Sequence, residues 1–93
     1  MRHNILIVDD EQLIRQGLRA RIEYLGIDVD EIFEAENGLM GLRLQEEHPI
    51  DVVITDIRMP DMDGLELIQE MQKKNNQIKF VVLSGYAEFS YAE

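Results

Sequence analysis

A chain of 93 residues that is 45% hydrophobic and 30% charged has the composition of one small folded domain, not of a disordered segment. Its formal net charge of −10 argues against direct nucleic-acid binding, which needs Lys and Arg on phosphates, and suits a bound hard cation instead. Without cysteine there are no disulfides or thiolate metal sites, and with neither a bilayer-length apolar run nor a signal-peptide core in MRHNILIVDD, a cytoplasmic protein with no membrane partner is expected.

In chain order, Asn4 to Val8 (NILIV) reads as a central strand that ends in acid at Asp9, Asp10 and Glu11. Asp10 is a natural N-cap for a helix with Leu13, Ile14, Gly17, Leu18, Ile22 and Leu25 on one face, stopped at Gly26. Glu31 to Ala35 (EIFEA) alternates as an outer strand does. Asn37-Gly38 signals a turn, and Leu39 to Glu47 forms a weaker helix ending before Pro49. Val52, Val53 and Ile54 have the β-branched composition of a strand buried on both faces, and Asp56 falls where that strand runs out. Pro60 blocks helical continuation and restricts Met59, so Asp61, Asp63 and Gly64 lie in a loop. Asp63 and Glu66 have capping-box spacing, opening a helix to about Asn75 with Leu65, Leu67, Ile68 and Met71 on its apolar face. Lys79 to Leu83 (KFVVL) is a further buried strand running into Ser84-Gly85-Tyr86, and Ala87 to Glu93 has the composition to begin a helix. Strands alternating with helices require crossovers and parallel pairing, so the fold class is a doubly wound α/β sandwich.

Parallel strands present their carboxyl ends at one edge of the sheet, where ligands bind in such folds. Asp9, Asp10, Asp56 and Ser84 would then converge. Neighbouring carboxylates repel by about 4 kcal/mol per pair at about 4 Å and an effective dielectric of about 20, so a cation or a proton must compensate them. An oxygen-only ligand set suits Mg²⁺, and the group has the make-up of a phosphoryl site with a carboxylate nucleophile.

The segments VDDE, TDIRMPDMDG and LSGY, in this order and separation, resemble the receiver domain of bacterial two-component response regulators. The resemblance implies a flavodoxin-like doubly wound parallel sheet. It also implies that Asp56 accepts a phosphoryl group from a sensor histidine kinase. Asp10, Asp56 and the backbone carbonyl of Arg58 would ligate Mg²⁺ (Mn²⁺ could substitute), with Asp9 reaching it through water. Ser84 would contact the phosphoryl oxygen and act as the switch. Arg58 and Tyr86 would flank the path of attacking water and modulate hydrolysis, while Pro60 and Gly64 shape the adjoining loop. The ending LSGYAEFSYAE is similar to receivers joined to AraC-type DNA-binding domains, which implies transcriptional output through a domain outside this chain. A receiver continues into a fifth strand bearing a Lys and a fifth helix, yet no Lys follows Lys79. Residues 1–93 therefore read as a receiver with strand order 2-1-3-4, cut before its last strand and helix, with self-association over the open edge or face expected.

Each of these residues also has a plainer reading. Asp9 and Asp10 could be only a helix cap, although one Asp suffices for that. Asp61 and Asp63 read as loop and cap, since Met59 occupies the first ligand position a calcium loop would need. His3 and His48 read as surface residues, Phe80, Phe89 and Tyr91 as packing, and Lys73 and Lys74 as cations suited to a helix end. Among alternative functions, an aspartyl-phosphate hydrolase of the haloacid-dehalogenase type would need Asp-x-Asp-x-Thr after the first strand, which Asp9-Asp10-Glu11-Gln12-Leu13 does not supply. A receiver-like interaction module that is not phosphorylated would normally have lost an acid, and a nucleotide-binding domain would need a glycine-rich phosphate loop. A domain that accepts a phosphoryl group and does not turn over substrate is the resulting expectation.

Overall fold

The computed structural model describes residues 3–83. Four strands form one parallel sheet in the order β2-β1-β3-β4, with β1 His3–Val8, β2 Val29–Ala35, β3 Val52–Asp56 and β4 Lys79–Leu83. The connecting helices are α1 Gln12–Leu25, α2 Gly38–Glu47 and α3 Gly64–Lys74. This is the doubly wound α/β arrangement expected from the alternation of strand and helix patterns. No helix among the described residues is long and apolar enough to cross a membrane.

Because side chains alternate along a strand, β1 feeds two cores. Leu6 and Val8 point into the larger one, where they meet Val53, Leu67, Met71, Ile78 and Met59 beneath α2 and α3. Ile5 and Ile7 point the other way, against Ile22 and the partly buried Leu18 of α1. The capping box is present: Asp63 Oδ1 accepts from the Glu66 N–H at 2.8 Å and Glu66 Oε1 from the Asp63 N–H at 3.1 Å. Lys73 and Lys74 lie in the last turn of α3, suiting the negative end of its dipole. Gly26 ends α1 at φ 70°, a left-handed conformation in which a side chain would be strained.

Several expectations need correction. Asp10 does not cap α1; the N-cap position belongs to Glu11, which makes no side-chain cap, and the Glu11 N–H is taken by Asp9 Oδ1 at 2.8 Å. The α1 stripe is only partly covered: Leu13 is 81% exposed, and Ile14, Gly17 and Leu25 are also exposed. Of that stripe only Leu18 and Ile22, one turn apart, pack against the sheet, and no second described helix covers the rest. For the same reason Val52 and Ile54, on the α1 side of β3, are only half-buried. β4 is not a buried strand: Val81 and Val82 are exposed, because among the described residues β4 forms one edge of the sheet. Asn37 is more than a turn residue, since its Oδ1 accepts from the Met40 N–H at 2.8 Å and caps α2. His48 is not a free surface residue but stacks on Phe33 with ring centroids 4.4 Å apart. The proposed helix over Ala87 to Glu93, with Phe89 and Tyr91, lies outside the described residues.

The two cores make opposite predictions for leucines of α1 and α3. Leu67 is fully buried, so Leu67→Ala should cost about 2–5 kcal/mol in urea unfolding through lost burial and a cavity. Leu13→Ala, on the exposed flank of α1, should stay within about 0.5 kcal/mol.

Candidate functional site

The sheet register builds the site. Val8 pairs with Thr55, so Asp9, just past β1, and Asp56, the last residue of β3, lie side by side at the carboxyl ends of the two strands. Asp10 joins them from the turn into α1. One carboxylate oxygen from each of Asp9, Asp10 and Asp56 can be chosen so that all lie within 4.8 Å of one another. Their surroundings differ. Asp9 is 1% exposed, Asp56 half-buried and Asp10 exposed. The turn thus offers an acid to solvent on one side and a buried acid on the other.

Burial pushes the Asp9 carboxyl above its ordinary range; the Glu11 N–H opposes this, and the charges of Asp56, Asp10 and Glu11 add to it. A buried anion beside two others carries uncompensated negative charge, and three carboxylates with no thiol or imidazole form a donor set for a hard divalent cation. The residues present therefore fit Mg²⁺.

The loop after β3 is held at both ends. Met59 is buried in the larger core, and the Gly64 N–H donates to the Ile57 carbonyl at 2.7 Å. The two chain segments approach so closely that a Cβ at position 64 would collide with the Asp56 carbonyl oxygen, a backbone atom that cannot swing away. Gly64 thus places α3 hard against the end of β3. Arg58 is exposed, and its N–H donates to Asp56 Oδ1 at a long 3.4 Å. Asp63 is committed to its cap, and Asp61 is exposed in the loop; neither belongs to the acid group. Ser84 and Tyr86 lie outside the described residues; the last described position, Leu83, pairs with Asp56.

A network behind the site escaped the reading of motifs. Arg15 donates from Nη1 to the Asp9 carbonyl at 2.7 Å and from Nε to Glu34 Oε1 at 3.1 Å. Arg19 donates from Nε to Glu34 Oε2 at 2.7 Å and from Nη2 to the Ile32 carbonyl at 2.8 Å. The Arg19 hydrogen bond, with help from Arg15 and against partial burial, holds the Glu34 carboxyl below its ordinary range. Two arginines four residues apart on one helix repel unless an acid lies between them, and that spacing was the available signal.

Comparison with known proteins agrees with this geometry. Residues 5–93 match the family model described as response regulator receiver domain. The chain belongs to the response regulator receiver domain family. It is 38% identical over 91 residues to the transcriptional regulatory protein YesN of Bacillus subtilis, an alignment that covers 98% of this chain and 25% of that protein. The receiver (REC) domain of AraT, a response regulator from Geobacillus stearothermophilus, superimposes with a TM-score of 0.87 at 40% identity, covering 99% of this chain and 71% of that one. A two-component transcriptional regulator AraC from Clostridium phytofermentans gives a TM-score of 0.86 at 39% identity, over 96% of this chain and 72% of that one. The chain therefore spans a quarter of the length of the curated relative and nearly three quarters of the solved chains. The flavodoxin-like receiver fold follows from these likenesses together with the strand order, and receivers of this family serve as signalling partners of sensor kinases.

Asp9 and Glu34 bear oppositely on stability. With its folded pKa raised, Asp9 favours folding fully only below the ordinary carboxylate value of about 4, and that stability is lost as pH rises through the folded value. With its folded pKa lowered, Glu34 stabilises above the ordinary value of about 4.3, and this is lost as pH falls through the folded value. Asp9→Asn, which keeps an acceptor for the Glu11 N–H, should raise the unfolding temperature in chelator at neutral pH, and the gain should vanish below about pH 4. Glu34→Gln should lower it at neutral pH and bring mutant and wild type together in acid. Thermal unfolding across a pH series measures both.

Proposed function

We propose that this receiver is a phosphoacceptor signalling domain in which Asp56 takes a phosphoryl group from the phosphohistidine of a sensor histidine kinase. The observation that carries the reading is the convergence of Asp9, Asp10 and Asp56 at the ends of β1 and β3. An oxygen of the Asp56 carboxylate attacks phosphorus, the P–N bond breaks, and the imidazole leaves with its electron pair and takes up a proton. Asp10, Asp56 and the Arg58 carbonyl would hold Mg²⁺, or Mn²⁺ in its place, with Asp9 assisting through water. Such a cation, when bound, would supply charge neutralisation for the transferring oxygens. The chain's own part is placement: the sheet fixes Asp56 at the mouth of the crevice, and the loop pinned by Met59 and Gly64 fixes the backbone beside it. Ser84 contacts the phosphoryl oxygen and switches with it, while Arg58 and Tyr86 shield the acyl phosphate from water. Output is transcriptional, through a DNA-binding domain outside these residues, a reading supported by the regulators to which the chain is similar. The acidic receiver itself does not contact DNA, and the protein acts in the cytoplasm without turning over a substrate.

Intact mass after incubation with acetyl phosphate and Mg²⁺ tests the acceptor: the chain should gain one phosphoryl group, and Asp56→Asn none. Phosphorylation of Asp56→Asn to the wild-type extent would sink the assignment. Calorimetric titration should show Mg²⁺ binding weakened at least about tenfold in Asp10→Asn, because a direct ligand charge is gone. Replacing Arg58 and Tyr86 together by Ala should shorten the half-life of the phosphorylated form; an equal or longer half-life would show that neither controls access.

The same reading includes self-association. β4 forms one edge of the described sheet and carries exposed Val81 and Val82, a template for pairing with a second copy. Sedimentation velocity over a concentration series should show a rising sedimentation coefficient, and a constant monomer value would refute it.

A further inference from the structure

We propose that Arg15 is a positioning residue for the acid site: its guanidinium, locked by Glu34, grips the Asp9 carbonyl and so fixes the geometry in which the three carboxylates receive a divalent cation. The proposal rests on the metal reading given above and adds residues to it that touch neither the cation nor the phosphoryl group.

Asp9 is tied on every side. Its N–H donates to the Ala35 carbonyl at 3.1 Å, continuing the β1–β2 ladder past the last strand residue. Its Oδ1 accepts from the Glu11 N–H at 2.8 Å, and its carbonyl accepts from Arg15 Nη1 at 2.7 Å. Arg15 could not hold that carbonyl if its own plane were free to turn. Its Nε is fixed on Glu34 Oε1, Glu34 Oε2 is held by Arg19 Nε, and Arg19 Nη2 reaches the Ile32 carbonyl. The Arg15 side chain is only 13% exposed, so water competes little for these bonds. A continuous path thus runs from β2 through α1 to the turn that presents Asp9 and Asp10.

The way Arg15 points matters. A cation that merely offset the acid cluster would address a carboxylate of that cluster, whereas Arg15 addresses backbone. Its planar fork spans two acceptors in fixed relation, which a lysine ammonium cannot do. Electrostatics and positioning therefore predict opposite signs. Removing a positive charge near the acids should tighten cation binding if charge alone matters. It should weaken binding if the grip on Asp9 is what matters. Partners behind the ligands of metal sites commonly change affinity by about 10–100-fold.

The test is calorimetric titration of the chain with MgCl₂ at neutral pH, for wild type, Arg15→Lys, Arg15→Met, Glu34→Gln and Asp10→Asn, with urea unfolding of each in chelator. We expect Arg15→Lys, Arg15→Met and Glu34→Gln each to weaken Mg²⁺ binding by about tenfold. Should Arg15→Met fail to fold, the charge-conserving Arg15→Lys decides the matter, since Glu34→Gln also removes a negative charge that would by itself weaken cation binding. Unchanged Mg²⁺ affinity in Arg15→Lys, with or without a lower urea midpoint, overturns the proposal and leaves a purely structural role. Tighter binding by Arg15→Met overturns it in favour of simple charge. Wild type that takes up no Mg²⁺, or Asp10→Asn that binds as well as wild type, would instead overturn the metal reading, and this proposal with it.

Discussion

Parallel pairing of β1 between β2 and β3 is the constraint on which the site depends. Each hydrogen-bonded register is locked by burial, because β1 sends Leu6 and Val8 into one core and Ile5 and Ile7 into the other. A slip of one residue would exchange the two sets and turn every side chain to the wrong face. Holding register for the sake of packing also fixes Asp9 beside Asp56, since Val8 and Thr55 are partners. The acids converge because the apolar residues before them have no other good arrangement. Gly64 transmits the same constraint to the other side of the crevice, where α3 comes so close to β3 that a side chain would not fit.

The result is a fold that carries an unfavourable electrostatic feature in a rigid setting. Asp9 is buried among like charges and its ionisation is resisted. Such a feature persists because the strand ends cannot move apart without unravelling the ladder. It also gives a ligand leverage, since anything that binds only the folded arrangement and relieves the repulsion stabilises that arrangement. The Glu34–Arg15–Arg19 network acts in the opposite sense. There, opposite charges are matched through short hydrogen bonds, and the matched group lies directly behind the unmatched one.

Much of this was legible in the sequence for identifiable reasons. Strand runs such as NILIV and DVVITD announce themselves because β-branched residues cluster and acids follow them. Asp63 and Glu66 were readable because a capping box depends on local spacing alone. Misreadings occurred where a neighbouring residue took over a local role or where the answer lay in a distant part of the chain. Asp10 has the chemistry of an N-cap, yet Asp9 takes the role of binding the Glu11 N–H and leaves Asp10 to the acid group. Leu13 and Ile14 fit the helical stripe, but periodicity does not say whether a second layer exists to cover it. β4 has the composition of a buried strand, and only the strand order 2-1-3-4, not that composition, placed it at an edge of the described sheet where Val81 and Val82 are exposed. Arg15 and Glu34, nineteen positions apart, meet only through the β1–α1–β2 crossover.

The central claim is that packing-imposed register creates a divalent-cation site from Asp9, Asp10 and Asp56. An anomalous difference map from crystals grown with Mn²⁺ tests it most directly. The account predicts one strong peak in the crevice at the ends of β1 and β3, bounded by the carboxylates of Asp10 and Asp56 with Asp9 behind it. A map with no peak there, or with its principal peak on Asp61 and Asp63, would contradict it.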